Sequence, residues 1–294
     1  METRYRIYAF ACAALCAGVA LFGFREMFVY LAGAFSDPYE DMSYAWFVPV
    51  FSLYVLWTER RKIADAFAAG APSLRDSAAG LLASLPFLFM TVLGSRGFQL
   101  RFGIVGFAGL CVTVPWTFFG WRVARNFVFP AAYLLFTIPL NTFLAVVTVY
   151  LRYLASGAAI AVLNGLGLEA VRQGTSVIAE GAHPFAVDVA APCSGLRSIF
   201  ALMALTAAYS WFNQKTWLRR GILFALSIPI AVFGNVVRIV TICLVAAFSS
   251  PDFAIGFYHD YSGYVVFLVA IALMVACGEG INRVFGGTGK GGAR

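Results

Sequence analysis

The stretch GILFALSIPIAVFGNVVRIVTICLVAAF, residues 221–248, holds a single charged side chain, Arg238. An apolar run of this length exceeds the ~20 residues that cross a ~30 Å hydrocarbon core. The rest of the chain follows the same composition. Of its 294 residues, 61% are hydrophobic and 12% charged, with a mean hydropathy of +0.83. A soluble domain carries about 25% charged residues, so this chain has about half the usual charge. Seven further runs read as spans: 7–24, 44–58, 79–94, 102–119, 127–147, 193–211 and 262–278. The second and third are short and rely on flanking aromatics. The expected fold is all-α: a polytopic helical membrane protein of about eight transmembrane helices. Phe22-Gly23-Phe24-Arg25 lacks the small residues of a cleavage site, so the first run reads as a retained anchor.

Charge orients these spans. With the N-terminus placed inside, 14 of the 21 Lys and Arg fall on the inner side and 9 of the 14 acids on the outer. The cationic excess marks the cytoplasmic loops. Both termini are then cytoplasmic. The basic pI of about 9.2 reflects this topology and gives no reason to invoke nucleic acid.

Polar residues collect on the outer side. Residues 148–168 are amphipathic, with Arg152, Ser156 and Asn164 interspersed. The stretch either lies along the outer interface or continues the fifth span at a tilt, and Pro139 is placed to break the helix before it. Residues 169–192 alone have soluble-domain character. Ser176-Val177-Ile178-Ala179, a turn at Glu180-Gly181-Ala182-His183-Pro184, and Phe185-Ala186-Val187-Asp188-Val189 predict a small extracytoplasmic hairpin of two strands. It delivers the chain to Ala191-Pro192-Cys193-Ser194-Gly195-Leu196-Arg197-Ser198.

Cys193 differs from the other five cysteines, which lie inside apolar stretches. It stands where a polar loop turns into an apolar run, with Arg197 one helical turn on. A thiol at a helix N-terminus beside a guanidinium ionises more readily, and the thiolate is the nucleophile. The competing reading is a small buried hydrophobe, the usual role of a free cysteine. In the seventh span, Asn235 and Arg238 share one face, and an intramembrane charge points to function. Arg238 stands 17 residues beyond Gly221, about 26 Å at ~1.5 Å per residue, close to the outer boundary. A snorkelling Arg accounts for that position but not for Asn235 beside it. His259, followed by Asp260, precedes the eighth span on the same side. Cys193, Arg238 and His259 thus reach one depth from three segments, as nucleophile, oxyanion or carbonyl ligand, and base. Their convergence predicts a separation of roughly 4–7 Å between the Cys193 sulfur and the His259 ring.

Other chemistries find no residues. The cysteines form no CxxC pair, and neither His183 nor His259 has an acid at ligand spacing, so no metal centre and no cofactor are expected. The tail Gly286-Gly287-Thr288-Gly289-Lys290-Gly291 lacks the spacing of a phosphate loop.

Three motifs together, Ala191-Pro192-Cys193-Ser194-Gly195-Leu196-Arg197-Ser198, Asn235-Val236-Val237-Arg238-Ile239 after Ile228-Pro229-Ile230-Ala231, and His259-Asp260-Tyr261-Ser262-Gly263, resemble the exosortase/archaeosortase family. Order and spacing match from about 127 to 278, and Leu134-Leu135-Phe136-Thr137-Ile138-Pro139-Leu140 and Arg219-Arg220 also look like the family. The first hundred residues resemble it in hydropathy and in the segment from Trp46-Phe47-Val48-Pro49 to Glu59-Arg60-Arg61. The resemblance implies a multi-pass cysteine transpeptidase of a bacterial or archaeal cell membrane, of the PEP-CTERM type of protein sorting. Its substrates would be exported proteins ending in a short motif, a transmembrane helix and a basic tail. Its acceptor would be water, an amine, a membrane lipid or a surface polysaccharide. Cys193, Arg238 and His259 then map to the catalytic positions, with Arg197, Asn235, Ser194 and Asp260 in support. The chain divides into an N-terminal membrane region (1–126), a catalytic membrane core (127–278) and a cytoplasmic tail (279–294). The alternative class is a transporter or lipid- or polysaccharide-handling protein in which Asn235, Arg238 and His259 line a polar path and Cys193 has no role. No inverted repeat of the transporter kind is visible.

Overall fold

The computed structural model describes residues 18, 23–37, 42–96, 99–139, 145–174, 176–180, 183–188, 196–249 and 253–286. The chain divides into two compact units, Met1–Leu140 and Asn141–Arg294.

In the first unit, α1 (Arg25–Ser36) is followed by a 3-10 turn running into α2 (Phe47–Thr58), α3 (Arg60–Ala68), α4 (Leu74–Arg96), α5 (Leu100–Phe119), α6 (Trp121–Ala124) and α7 (Val128–Tyr133). Helices α4 and α5 form a tight hairpin. A side chain at Gly80 would stand 2.6 Å from the Thr117 backbone nitrogen, and one at Gly94 would collide with the Gly103 backbone, so both approaches require glycine. Asp76 secures one end by accepting from the Trp116 indole at 2.8 Å and the Trp121 backbone N–H at 3.1 Å. The outward face of α4, including Leu81, Leu82, Leu85 and Phe89, is exposed. A stripe of this kind on a helix suits lipid, not water. Phe24, Met27, Leu31 and Phe35 meet Met42, Ala45 and Ile104 in the unit's main core.

The run 127–147 is expected as one span, and the structure interrupts it. Helix α7 gives way to a 3-10 turn (Leu134–Thr137), and Ile138 is extended at ψ 123°. Pro139 disfavours the helical conformation in the residue before it. A separate helix, α8 (Ala145–Gly165), opens the second unit. It turns Ala155, Ala159 and Leu163 into the core. Its last turn is clasped to the chain just beyond it, since the Asn164 carboxamide donates to the Ala170 carbonyl at 3.1 Å and accepts from the Ala170 N–H at 2.7 Å.

The predicted two-stranded hairpin is a three-stranded antiparallel sheet, β1 (Ala170–Gln173), β2 (Ser176–Ala179) and β3 (Phe185–Asp188). Gly174, at φ +65°, makes the turn that admits the extra strand. Ala170 pairs with Ala179, and Ala179 with Phe185. Alternation then puts Val177, Ala179, Phe185 and Val187 on one buried face, packed with Ile239, Ile242, Cys243 and Ala246.

Those last residues belong to α10 (Trp217–Phe248), which lies between α9 (Leu196–Asn213) and α11 (His259–Gly286). Thr216 caps α10, accepting from the Arg219 N–H at 3.4 Å. Helices α10 and α11 run antiparallel in one register. Leu223 lies against Gly278, Gly234 against Val266 and Arg238 against Gly263. The end away from the sheet is tied by side chains reaching across helices. The Gln214 carboxamide donates to the Gly278 carbonyl at 3.1 Å, and the Arg219 guanidinium to the Phe285 carbonyl at 2.6 Å. Arg220 stays on its own side, bonded to the Gln214 carbonyl at 3.0 Å with its charge over Trp211.

Among the described residues four helices are long and apolar enough to cross a membrane: Leu74–Arg96, Leu100–Phe119, Trp217–Phe248 and Gly256–Phe285. Ser43–Thr58 is a shorter apolar helix, and the expected first span, 7–24, lies almost wholly outside the described residues. The fold is that of an all-α membrane protein carrying one small sheet.

Candidate active site

Three helices converge just beneath the sheet. Arg238 directly precedes the Ile239–Ala246 segment of α10 that packs under the strands. It is therefore at the sheet-bearing end of a 32-residue helix. Asn235, one turn earlier, is 6% exposed. Both line a small crevice with Ser198 of α9 and Gly263 of α11. The i, i+3 spacing that predicts a common face for Asn235 and Arg238 holds in the structure.

The guanidinium and Gly263 are in close contact. A Cβ built at Gly263 would stand 3.3 Å from Arg238 Cζ, 3.4 Å from Nη2 and 3.6 Å from Nε. Nearly equal distances to three atoms of a planar group mean that the group presents its face to the α11 backbone. Gly263 follows His259 by one helical turn, so the two positions share a helix face. The backbone thus sets Arg238 one turn from the start of α11, where His259 and Asp260 stand.

Cys193 and Ser194 lie outside the described residues, as does the expected Cys193–His259 separation. Arg197 is in the first turn of α9 and is exposed, while its neighbour Ser198 faces the crevice. His183 is away from this group, its ring 4.7 Å from that of Phe248, the last residue of α10 and ten positions beyond Arg238. Two contributors were not singled out from sequence. Ser198 was readable as a polar residue within the Cys193 motif, five positions beyond the thiol. Gly263 closes the third motif, but its role had no sequence signal, because what a helical glycine faces depends on the partner helix.

A guanidinium, a carboxamide and a hydroxyl offer several N–H and O–H donors to one small space. Donors fixed before a reaction stabilise negative charge that develops on a carbonyl oxygen. Holding them on three packed helices keeps that arrangement rigid, and seating the half-buried Arg238 against α11 avoids the cost of a charge facing lipid.

Among curated proteins and among solved structures, none matches the chain. A family model described as transmembrane exosortase matches residues 36–276. That match takes in most of the first unit as well as every residue that lines the crevice. The chain belongs to the transmembrane exosortase family.

Proposed function

We propose that this protein is a membrane cysteine transpeptidase that cleaves the C-terminal sorting signal of exported proteins and passes the acyl product to a surface acceptor. The catalytic residues are Cys193, Arg238 and His259, within a catalytic core of residues 127–278. Arg197, Ser194, Asn235 and Asp260 support them. The chain crosses the membrane about eight times, with both termini in the cytoplasm and the site on the extracytoplasmic face.

The observation that carries this reading is the seating of Arg238. Its guanidinium lies on Gly263, one turn from His259, in a crevice shared with Ser198 of the Cys193 motif. Cys193 thiolate attacks the scissile carbonyl and forms a C–S bond. Arg238 holds the oxyanion. The C–N bond then breaks, and the leaving amine takes its proton from the His259 imidazolium. The departing fragment is the helix and basic tail. Neutral His259 next accepts the proton of the acceptor nucleophile, which attacks the thioester and releases the thiolate. An amine, a lipid or a glycan acceptor gives transfer, and water gives hydrolysis.

The test is co-expression with an exported reporter ending in a short motif, an apolar helix and a basic tail. Proteins of this design encoded in the same genome supply the motif. The wild-type enzyme removes the helix and tail and yields a hydroxylamine-labile adduct of reporter on enzyme. Cys193→Ala does neither. Cys243→Ala, at a fully buried position under the sheet, keeps cleaving. Equal cleavage by the wild type and Cys193→Ala would sink the proposal and favour a non-covalent role.

A further inference from the structure

The crevice does not end at Arg238. Its lining runs from Arg238 and Gly263 to Ala231 and Ala270, seven residues along each of two antiparallel helices. At ~1.5 Å per residue that is about 10 Å away from the sheet. The chemistry changes on the way. The mouth is polar, with Ser198, Asn235 and Arg238. The floor is apolar, with Leu202, Ala231, Phe267 and Ala270. Leu202 is fully buried, and Ala231 and Ala270 are 3% and 5% exposed. The cavity is about 30 Å³. One water needs roughly 10–15 Å³ on this measure, so the space admits two or three heavy atoms. An aromatic ring or a helix does not fit, whereas the side chain of alanine, proline or valine does.

We infer that this cavity is a side-chain subsite for a short apolar residue beside the scissile bond, with Ala231 and Ala270 setting its depth. The inference rests on the reading of Arg238 as the group facing the scissile carbonyl. A peptide whose carbonyl meets the guanidinium has its neighbouring side chain within a few ångströms of the mouth. The apolar floor then selects against charge, because a buried charge there would have no partner. The alanines select against bulk, because a packed helical interior resists expansion. Gly234 helps by keeping the helices close, since a Cβ there would stand 3.1 Å from Val266 Cγ1.

The experiment uses the full-length enzyme and the same exported reporter. Each of the four residues before the reporter's apolar helix is changed in turn to Gly, Ala, Val, Leu and Phe, and cleavage is followed for the wild type, Ala231→Val, Ala270→Val and Ala270→Gly. One position should show a sharp size limit in the wild type, with Phe cleaved at least tenfold more slowly than Val. The valine variants should move that limit down, losing Val at least tenfold while retaining Gly. Ala270→Gly should move it up and admit Leu. This last variant carries the test if the valine variants do not insert. A size profile that none of the inserted variants changes, at any of the four positions, overturns the subsite. Cleavage that survives Cys193→Ala overturns instead the reading on which the subsite rests, so the two failures are told apart.

Discussion

The Arg238 guanidinium rests face-on against the backbone of Gly263, with its Cζ 3.3 Å from where a β-carbon at that position would be. The contact joins α10 to α11, one turn from its start, without any side chain on the α11 side. Gly263→Ala would fill the seat and displace the guanidinium by a few tenths of an ångström. Misplacement of about 1 Å can cost on the order of 10²-fold in rate. Gly263→Ala is therefore expected to lower kcat by roughly tenfold, with KM little changed and the melting temperature in detergent near wild type. A fall in stability with normal turnover by the folded fraction would make the contact structural only.

Arg238→Lys is expected to cost more, about 10²-fold or more in kcat. Lysine keeps the charge but loses the plane that lies on Gly263 and the fork of donors it presents to the crevice. Steady-state cleavage of the reporter by the purified variant measures this. Activity within threefold of wild type would mean that charge alone suffices.

His259→Ala is expected to abolish cleavage, while His183→Ala leaves most of it. His183 is exposed and its ring contact is with Phe248, away from the crevice. Parallel assays of the two variants at matched expression decide between them. Comparable losses would remove His259 from the mechanism.

A cysteine introduced at Ser176 in the sheet should react with a membrane-impermeant maleimide added to intact cells. The expectation comes from the concentration of Lys and Arg in the opposite loops. Labelling only after the membrane is opened would place the sheet, and the site beneath it, in the cytoplasm.

Asn164→Ala removes both hydrogen bonds to Ala170, which measure 2.7 and 3.1 Å. Each such bond is worth about 0.5–1.5 kcal/mol net. Thermal unfolding in detergent should show a loss of about 1–3 kcal/mol, with faster proteolysis in the sheet. Asn164→Asp retains the acceptor and should recover part of the loss.

Much of this architecture could be read in the sequence where one physical signal dominated. The apolar runs mark α4, α5, α10 and α11, because crossing hydrocarbon demands both length and uniformity. The three-residue step from Asn235 to Arg238 places them on a common face, because that is helix geometry alone. The strand Ala170–Gln173 was not expected. Its sequence, Ala-Val-Arg-Gln, has one buried residue and three exposed, and its pairing comes from the Gly174 turn and the Asn164 clasp. The break before α8 was half legible, since Pro139 marks an end but does not say where the next helix begins. Gly263 was opaque for a different reason. A residue without a side chain acquires meaning only from what lies opposite, and that depends on the register of two helices.

That register has a consequence for distance. The contact of Leu223 with Gly278 and that of Arg238 with Gly263 belong to one antiparallel pairing. They are fifteen residues apart on each helix, about 22 Å. At the far contact a Cβ on Gly278 would stand 2.8 Å from the Tyr209 ring, so α9 is gripped there as well. Neither helix can slide by a residue without a collision at that end. The height of the guanidinium is therefore gauged from the other end of the helix pair. A bulkier residue at Gly278 would act as a shim, lifting the reaction plane relative to the lipid without touching any group that reacts.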